Sequence, residues 1–260
     1  MTRILFLGDT AGTGFGTVTR DLASALVRRG EDVRIVSMNE DAGFSTDPGF
    51  PANLKERVIL LGHADGWLAL GKMDAQGEAH RQHLLAAARG VFTGHTVEGW
   101  VPEATIIVGD LASLKQSPWP KWLPPTMRAW NYVPIEGIDL PPRWKEWWDR
   151  IRPVAMCEFG ADQIAAVMGD RPPMVYHGID PDSFWPVSGA RPLVMRSRKR
   201  NSILRSRAEC RAWLGWPKDA TILFRADRHM PRKAYPALFR AVAPVMERHP
   251  SVVLMMHCRT

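Results

Sequence analysis

Basic side chains are concentrated in the segment Arg228-His229-Met230-Pro231-Arg232-Lys233, between a predicted strand and a predicted helix. The amide N–H groups at the start of a helix favour an anion, and nearby Arg and Lys side chains favour the same ligand. Arg228 and Lys233 are therefore candidate ligands for a diphosphate. The alternative is an ordinary solvated basic loop.

A glycine-rich loop near the N-terminus offers a second place for a ligand. Gly12, Gly14 and Gly16 follow the first predicted strand and precede a helix whose predicted N-cap is Thr17. Glycines let the backbone approach a ligand closely, and a helix N-terminus attracts phosphate. The sequence predicts that Gly14, Phe15 and Gly16 contribute to binding, against the alternative of a purely structural turn.

The dinucleotide-binding pattern G-x-G-x-x-G is not matched by this loop. If the pattern starts at Gly12 its third glycine falls on Thr17, and if it starts at Gly14 it falls on Thr19. Glu40, just past the second predicted strand, is placed where an acid could bind a ribose. A nicotinamide-dependent oxidoreductase therefore stays open as an alternative.

Two carboxylates, Asp110 and Glu136, each lie just past the end of a predicted strand. Ligands of doubly wound sheets bind at the carboxyl ends of the strands. Asp110 and Glu136 are therefore the candidate catalytic residues, as acid–base groups or as groups that orient an acceptor.

Metal-binding patterns are weak in this sequence. Asp180-Pro181-Asp182 matches the D-x-D pattern by which some sugar-nucleotide enzymes hold a divalent metal, but Asp-Pro pairs also start ordinary turns. His80 and His83 lie three residues apart without an evident third ligand. We therefore expect no metal site and no bound cofactor.

The hydrophobic pattern predicts alternating strands and helices, which indicates an α/β fold with a parallel sheet. A strand, the glycine loop, a helix and a second strand form a βαβ unit within about 38 residues. A second βαβ unit begins near residue 221, and the chain ends four residues after its second strand. The predicted strands are 3–7, 33–38, 58–61, 90–92, 105–108, 127–133, 152–156, 221–224 and 252–256.

Length and charge exclude several classes of protein. The chain has 260 residues, and no apolar stretch approaches the roughly 18 residues of a membrane-spanning helix. Three widely spaced cysteines give no disulfide or zinc pattern and favour a cytoplasmic setting. The net charge of +7 is contributed entirely by eight basic residues and one acid between Arg191 and Arg211. We expect this segment to be an exposed, mobile loop, which either contacts an anionic surface or is simply solvated.

Taken in order, five segments of the chain resemble the retaining glycosyltransferases of the GT-B fold, in particular family 4. The combination of His-Gly-Ile-Asp, Phe-x-Pro and a later Arg-x-x-x-Arg-Lys is the most specific part of the resemblance. The five segments are Gly14-Phe15-Gly16-Thr17-Val18-Thr19-Arg20, Tyr132-Val133-Pro134-Ile135-Glu136-Gly137, Cys157-Glu158-Phe159-Gly160, His177-Gly178-Ile179-Asp180 with Phe184 and Pro186, and Arg228 to Lys233.

The resemblance implies two Rossmann-like domains, one binding an acceptor and the other a nucleotide-diphosphate sugar. Arg228 and Lys233 match the pair that contacts the donor diphosphate, while His177 and Gly178 match residues lining the cleft. The implied reaction transfers a hexose to an unknown hydroxyl with retention of configuration, usually without a metal.

The sequence departs from the family at two places. Asp227 stands where the family commonly has a glycine beside the diphosphate-binding Arg, and the family's later E-x7-E motif is not reached by residue 260. We therefore expect a truncated GT-B fold: an acceptor-side domain at 1–186, a basic linker at 187–218 and a partial donor domain at 219–260. The unpaired edges of the two strands in that partial domain predict self-association.

Two further readings stay open beside this one. A non-catalytic binding or assembly protein could keep the fold without a working donor site. A nucleic-acid-binding protein is suggested only by the basic segment between Arg191 and Arg211.

Overall fold

The computed structural model of the protein describes residues 1–10, 12–37, 51–59, 86, 89–110, 123–179, 181, 185–196, 201–227 and 229–258. The chain divides into two compact units, Met1–Gly178 and Ile179–Thr260. This division lies eight residues before the predicted boundary after residue 186, so the whole predicted linker, residues 187–218, falls within the second unit.

The first unit is built on a six-stranded sheet in which every neighbouring pair of strands is parallel. The strand order is β3-β2-β1-β4-β5-β6. This arrangement confirms the predicted α/β class with a parallel sheet. The strands are β1 (Arg3–Gly8), β2 (Asp32–Ser37), β3 (Val58–Ile59), β4 (Ala104–Val108), β5 (Arg128–Val133) and β6 (Arg152–Ala155).

Both faces of this sheet are covered, as parallel sheets require. On one face Phe6 and Val33 are fully buried, with Leu22 of the first helix packed against their cluster. On the other face Leu7 clusters with Ile164, which lies on a helix at residues 158–168. Besides the helical residues 86 and 89–93, the described helices of the unit are α1 (Gly14–Arg28), α2 (Ala52–Lys55), α3 (Lys145–Trp148), preceded by a 3-10 turn at Pro142–Trp144, and α4 (Glu158–Met168).

Helix α1 begins at Gly14, four residues before Val18, the first apolar residue at helical spacing. Its N-cap is Thr13, whose side-chain oxygen accepts a hydrogen bond of 3.0 Å from the amide of Gly16. The predicted N-cap, Thr17, is wrong, because Thr17 lies in the first turn and donates its own amide to the carbonyl of Thr13. Gly14, Phe15 and Gly16 are therefore helical residues rather than loop residues.

Residues 89–93 are helical, so the predicted strand at residues 90–92 is wrong. Val91 and Phe92 are buried, and their short apolar run fits either structure, because periodicity cannot separate a buried strand from a buried helix at this length.

The end of β1 passes close to α1 at a position that has no room for a side chain. A methyl group added at Gly8 would lie 2.4 Å from Oγ1 and 3.1 Å from Cγ2 of Thr19, which is fully buried on α1. At Gly14 the same methyl group would meet no atom within 4 Å.

We expect Gly8→Ala to lower the free energy of unfolding by about 1–3 kcal/mol, because overpacking forces α1 or Thr19 to move. The matched change Gly14→Ala should alter that free energy by no more than about 0.5 kcal/mol. Urea denaturation of both variants measures the difference. Equal stability of the two variants would contradict the close approach of β1 to α1.

The second unit contains a two-stranded antiparallel hairpin and a separate βαβ unit. The elements are β7 (Leu193–Arg196), β8 (Asn201–Leu204), α5 (Arg207–Leu214), β9 (Thr221–Ala226), a 3-10 turn at Pro231–Lys233, α6 (Tyr235–Arg248) and β10 (Val252–His257). β9 and β10 pair in parallel, and this β9-α6-β10 unit confirms the sequence prediction for the region.

The basic segment between Arg191 and Arg211 is therefore not the loop that the sequence predicts. It holds β7, β8 and the first part of α5, and its last arginine is buried. The Arg211 side chain donates from one nitrogen to the carbonyl oxygens of Pro217, Lys218 and Ala220 at 2.8–2.9 Å. Contact of this segment with an anionic surface stays a prediction.

The β9–β10 sheet has only two strands in the described part of the chain. Leu223 and Phe224 of β9 are exposed, the latter to 57%. Exposed apolar side chains on a short sheet are compatible with self-association, which stays a prediction that sedimentation of the purified chain would test.

Candidate functional site

The sheet of the first unit has a topological switch point between β1 and β4, where the strand order reverses direction. In open α/β sheets the crevice beyond the carboxyl ends of the strands at such a point binds ligands. β1 ends in Gly8 and is followed by Asp9, while β4 is followed by Gly109 and Asp110. Because Leu7 pairs with Ile107, the two Gly-Asp pairs lie side by side and are offset by one residue along the strands.

The predicted ligand loop meets this crevice through the first turn of α1. The amide of Gly16 is satisfied by Thr13, whereas Gly14 and Phe15 occupy positions whose amides have no intrahelical acceptor. Gly14 is exposed, but Gly16 is buried and Phe15 is packed against the core. Of the three predicted residues, Gly14 is thus the one with an exposed backbone.

Asp9 is the residue of this crevice that sequence reasoning missed. It is 6% exposed, and its carboxylate accepts a hydrogen bond from the hydroxyl of Thr13, the N-cap of α1. A buried carboxylate beside a helix N-terminus is favourable by itself, but it supplies the negative charge that a phosphate would otherwise bring. The signal was present in the sequence as the repeated Gly-Asp pair after β1 and β4.

Asp110 lies where the sequence places it, directly after β4, and the chain there is held by a buried amide. The side chain of Asn131, in β5, is fully buried and donates to the carbonyl oxygens of Ile107 and Gly109 at 3.3 and 3.2 Å. These two bonds fix the end of β4 and so position the half-buried Asp110. Glu136, the other predicted catalytic residue, lies three residues beyond β5 and is exposed.

His177 is brought to the carboxyl edge of the sheet by the segment that follows α4. Met174 forms a parallel bridge with Ala155 of β6, and the amide of Val175 donates to the carbonyl of Ala155 at 2.9 Å. Two residues later, the ring of His177 meets the ring of Tyr132 edge to face, with centroids 5.4 Å apart. Gly178 follows it and is exposed.

The hydrogen bonds of Tyr132 determine which ring nitrogen of His177 carries the proton. The Tyr132 hydroxyl lies 2.7 Å from the carbonyl oxygen of Val175 and 3.1 Å from Nδ1 of His177. Because a carbonyl can only accept, the hydroxyl donates to Val175, and Nδ1–H of His177 donates to the tyrosine oxygen. Burial raises the pKa of Tyr132, which keeps the phenol protonated. In the neutral imidazole, Nε2 of His177 is then the hydrogen-bond acceptor.

We expect Tyr132→Phe to remove the preference of His177 for the Nδ1–H form, because the oxygen that accepts that proton is lost. Nitrogen NMR of His177 measures this directly, since the two ring nitrogens have well-separated shifts in a single tautomer. Tyr176→Phe is the matched control, because Tyr176 is adjacent and exposed. Unchanged His177 shifts in Tyr132→Phe would contradict the assignment.

In the second unit, Lys233 lies in the 3-10 turn that precedes α6, and its ammonium group is paired. Nζ of Lys233 is 3.1 Å from Oδ1 of Asp227, and a guanidinium nitrogen of Arg225 is 3.1 Å from Oδ2 of the same carboxylate. The hydrogen bond from Lys233, reinforced by Arg225, holds the pKa of Asp227 below its ordinary value. Arg228, the other predicted diphosphate ligand, lies outside the described residues.

Aromatic side chains pack against this charged cluster. Tyr235 is buried, and its hydroxyl donates to the carbonyl oxygen of Asp227 at 3.0 Å. The guanidinium carbon of Arg225 lies 4.4 Å from the centre of the Tyr235 ring, and the ring of His229 meets the same tyrosine edge to face. Burial, the largest influence, raises the pKa of Tyr235.

Helix α6 starts from an unusual residue, since its N-cap Ala234 has a φ of +49°. A residue with a Cβ is strained there, and a glycine is not. We expect Ala234→Gly to raise the free energy of unfolding by about 0.5–1 kcal/mol. The same change at Ala241, in the exposed middle of α6, should lower it by about 1 kcal/mol. Thermal unfolding of the two variants checks the opposite signs, and a loss of stability in both would contradict the strain at residue 234.

Several predicted residues cannot be placed. Glu40, His80, His83, Asp180 and Asp182 lie outside the described residues. Within the described ranges, three or more His, Cys, Asp or Glu side chains do not gather in a way that could hold a metal ion. Among the described helices, none has the length and apolar character needed to cross a membrane.

Comparison with known proteins gives similar solved structures. No protein-family model matches the chain, and no curated protein matches it significantly. An α-glucosyltransferase in complex with UDP-glucose and DNA containing an abasic site is similar over 100% of this chain and 57% of its own, at 14% identity and a TM-score of 0.46. An α-glucosyltransferase in complex with UDP and a 13-mer DNA containing a central A:G mismatch is similar over 99% of this chain and 56% of its own, at 13% identity and a TM-score of 0.44.

The apo structure of UGT2 from Phytolacca americana is similar over 88% of this chain and 57% of its own, at 13% identity and a TM-score of 0.46. The chain thus spans a little over half the length of each of these solved proteins. Their activities therefore enter only as proposals for this chain.

Proposed function

We propose that this protein acts as a GT-B glycosyltransferase of the retaining family 4 type, transferring a hexose from a nucleotide-diphosphate sugar to an acceptor hydroxyl. The first unit takes the acceptor side and the second unit binds the donor diphosphate. Arg228 and Lys233 stabilise the negative charge that develops on the leaving diphosphate, and the reaction uses no bound metal or cofactor.

The observation that carries this proposal is the opposite charge at the starts of α1 and α6. Beside the N-terminus of α1 lies the buried carboxylate of Asp9, hydrogen-bonded to Thr13. Among the described residues around the turn that leads into α6, the three cations Arg225, Arg232 and Lys233 stand against the single carboxylate of Asp227, which leaves an excess of positive charge. An anionic diphosphate is therefore repelled by the first helix and attracted by the second, which is the division of roles that the sequence resemblance implies.

On the acceptor side, each predicted residue has a distinct role in the proposal. Asp110, positioned by Asn131 at the end of β4, accepts a proton or a hydrogen bond from the acceptor hydroxyl. His177 offers Nε2 as an acceptor, with Gly178 beside it leaving space for the ligand. Glu136 is exposed and would act only when a substrate covers it.

The same observation weighs against a nicotinamide cofactor. The strand order of the first unit is one that dinucleotide-binding proteins share, in which the pyrophosphate sits at the N-terminus of the first helix. In this chain Asp9 places a negative charge there, and the glycine pattern that would admit the pyrophosphate is not matched. We therefore expect nucleotide-sugar binding and no tight binding of NAD(H).

Calorimetry with UDP-glucose, GDP-mannose and NADH tests the proposal on the purified chain. We expect one of the nucleotide sugars to bind more tightly than NADH, and release of free nucleoside diphosphate when an acceptor hydroxyl is supplied. Tighter binding of NADH than of either sugar nucleotide would overturn the proposal.

A non-catalytic binding protein is the second candidate. The pairing of Lys233 with Asp227 favours it, because the charge of the lysine proposed to bind the donor diphosphate is already neutralised. Nucleotide-sugar binding without any release of nucleoside diphosphate, over a panel of sugar, lipid and oligonucleotide acceptors, would support this second candidate over the enzyme.

A further inference from the structure

The two oxygens of the Asp227 carboxylate each contact one cation. Oδ1 lies 3.1 Å from Nζ of Lys233, and Oδ2 lies 3.1 Å from a guanidinium nitrogen of Arg225. About a fifth of the Asp227 side chain is exposed, so the cluster can be reached from solvent. A phosphoryl group also presents pairs of oxygens to cations, in a geometry that arginine recognises as it recognises a carboxylate.

Arg225 does not depend on Asp227 for its position. Its guanidinium group also donates to the carbonyl oxygen of Lys233 and lies over the ring of Tyr235. The turn that carries Lys233 is closed by its own backbone bond, from the amide of Lys233 to the carbonyl of Met230 at 2.9 Å. Removing the charge of Asp227 would therefore leave both cations in place without their internal partner.

We propose that Asp227 is an internal counter-ion that occupies the position of a phosphoryl group between Arg225 and Lys233. A phosphate-bearing ligand must displace this carboxylate to bind, so Asp227 sets the affinity of the cluster for phosphate. Arg225 is assigned as a further phosphate-binding residue beside Lys233. The inference deepens the proposed function, because the displaced carboxylate would be replaced by the donor diphosphate.

The chemistry determines the direction of the effect. In the chain as it stands, an incoming diphosphate meets one carboxylate and two cations that are already paired with it. With asparagine at residue 227 the shape is retained, the repulsion is removed and the ammonium group of Lys233 becomes available. The ligand then forms a charge-assisted hydrogen bond with Lys233 without having to displace a carboxylate.

Binding of inorganic pyrophosphate to the Asp227→Asn variant tests the inference without a sugar nucleotide. We expect affinity about 10- to 100-fold higher than that of the parent chain, the change expected for one charge-assisted hydrogen bond. Asp219→Asn is the matched control, because it removes the same charge from an exposed residue of the same unit. Asp227→Ser carries the same expectation, so misfolding of one substitution, detected by circular dichroism, leaves the test intact.

The double variant Asp227→Asn, Lys233→Met assigns the gain to its source. We expect it to lose most of the increase, because the released ammonium group is gone. Pyrophosphate affinity of Asp227→Asn that matches Asp219→Asn, or a gain that survives in the double variant, overturns the inference.

Failure of the proposed function is distinguishable from failure of this inference. If Asp227→Asn binds pyrophosphate more tightly while neither it nor the parent binds UDP-glucose or GDP-mannose, the counter-ion role stands and the proposed function fails. If a sugar nucleotide binds the parent but Asp227→Asn shows no gain for pyrophosphate, the proposed function stands and the counter-ion role fails.

Discussion

Replacing Arg211 by Met should lower the stability of the second unit by about 2–4 kcal/mol. The side chain is 7% exposed, and one of its nitrogens donates to three carbonyl oxygens at 2.8–2.9 Å. A hydrogen bond to a charged group contributes about 1.5–3 kcal/mol, and the carbonyl groups left behind lose their partner as well. These bonds tie α5 to residues 217–220, which lead directly into β9.

Hydrogen–deuterium exchange of peptides covering α5 and β9 measures this effect locally. We expect faster exchange in both elements for Arg211→Met, and nearly the same loss for Arg211→Lys, because an ammonium group cannot reproduce the arginine geometry. Arg207→Met is the matched control, since Arg207 lies on the same helix but is exposed, and it should change stability by no more than about 0.5 kcal/mol. Equal exchange in the Arg207 and Arg211 variants would show that the three bonds add nothing.

Arg211 also shows why a run of charges is a poor guide to a surface. Counted along the sequence, it is one of eight basic residues, and all eight were expected to face solvent in a loop. The fold uses Arg211 inside the second unit, and it places Arg191 against the ring of Trp185, 4.6 Å from its centre. The sequence contains a signal for α5 in Ser206-x-x-Glu209, because a serine followed three residues later by glutamate is typical of a helix start.

In the structure, both Ser206 and Glu209 form the capping hydrogen bonds that this pattern predicts. The side chain of Ser206 accepts from the amide of Glu209 at 3.1 Å, and the carboxylate of Glu209 accepts from the amide of Arg205 at 2.6 Å. Glu209 therefore caps the helix, in addition to offsetting one of the eight basic charges of the segment. Local patterns of this kind can be read from sequence without knowledge of the fold.

The parallel sheet was predictable for a similar reason. The strands β1 and β4 contain short apolar runs followed by glycine, and strands that alternate with helices imply parallel pairing. The order of the strands was not predictable, because it depends on which crossovers pack against which face. Asp110 could be placed at a strand end, but its position at the switch point follows only from the observed order.

Asp9 and Asp227 show the limit of sequence reasoning at a site. Both are single acids beside glycine-rich or basic segments, and their importance comes from a partner fixed by the fold. Asp9 is buried against Thr13, and Asp227 contacts Lys233 six residues later through a turn that ends at the strained Ala234. The sequence shows only that Asp227 stands where the family commonly has a glycine. In the structure its carboxylate contacts the cations Arg225 and Lys233.

Replacing Lys233 by Met should weaken binding of the nucleotide-diphosphate sugar by about 10- to 100-fold. If the donor diphosphate displaces Asp227, its oxygens inherit the contact that Nζ of Lys233 now makes at 3.1 Å. A charge-assisted hydrogen bond of this kind contributes about 1.5–3 kcal/mol, which corresponds to that range of affinity. The loss should appear for UDP-glucose and for pyrophosphate alike, because the contact is made to phosphate and not to the sugar or the base.

Lys218→Met provides the matched control, since Lys218 is exposed in the same unit and its backbone carbonyl, which accepts from Arg211, is kept in the variant. Calorimetry on both variants separates a specific contact from a general loss of positive charge. At higher salt, the binding of UDP-glucose should weaken equally in the Lys218→Met variant and in the parent chain. If the two lysine variants bind UDP-glucose with the same affinity, Lys233 does not hold the diphosphate. The charge contrast between the starts of α1 and α6 would then no longer support donor binding by the second unit. If Lys233→Met alone is impaired for both ligands, the ammonium group of Lys233 makes the phosphate contact.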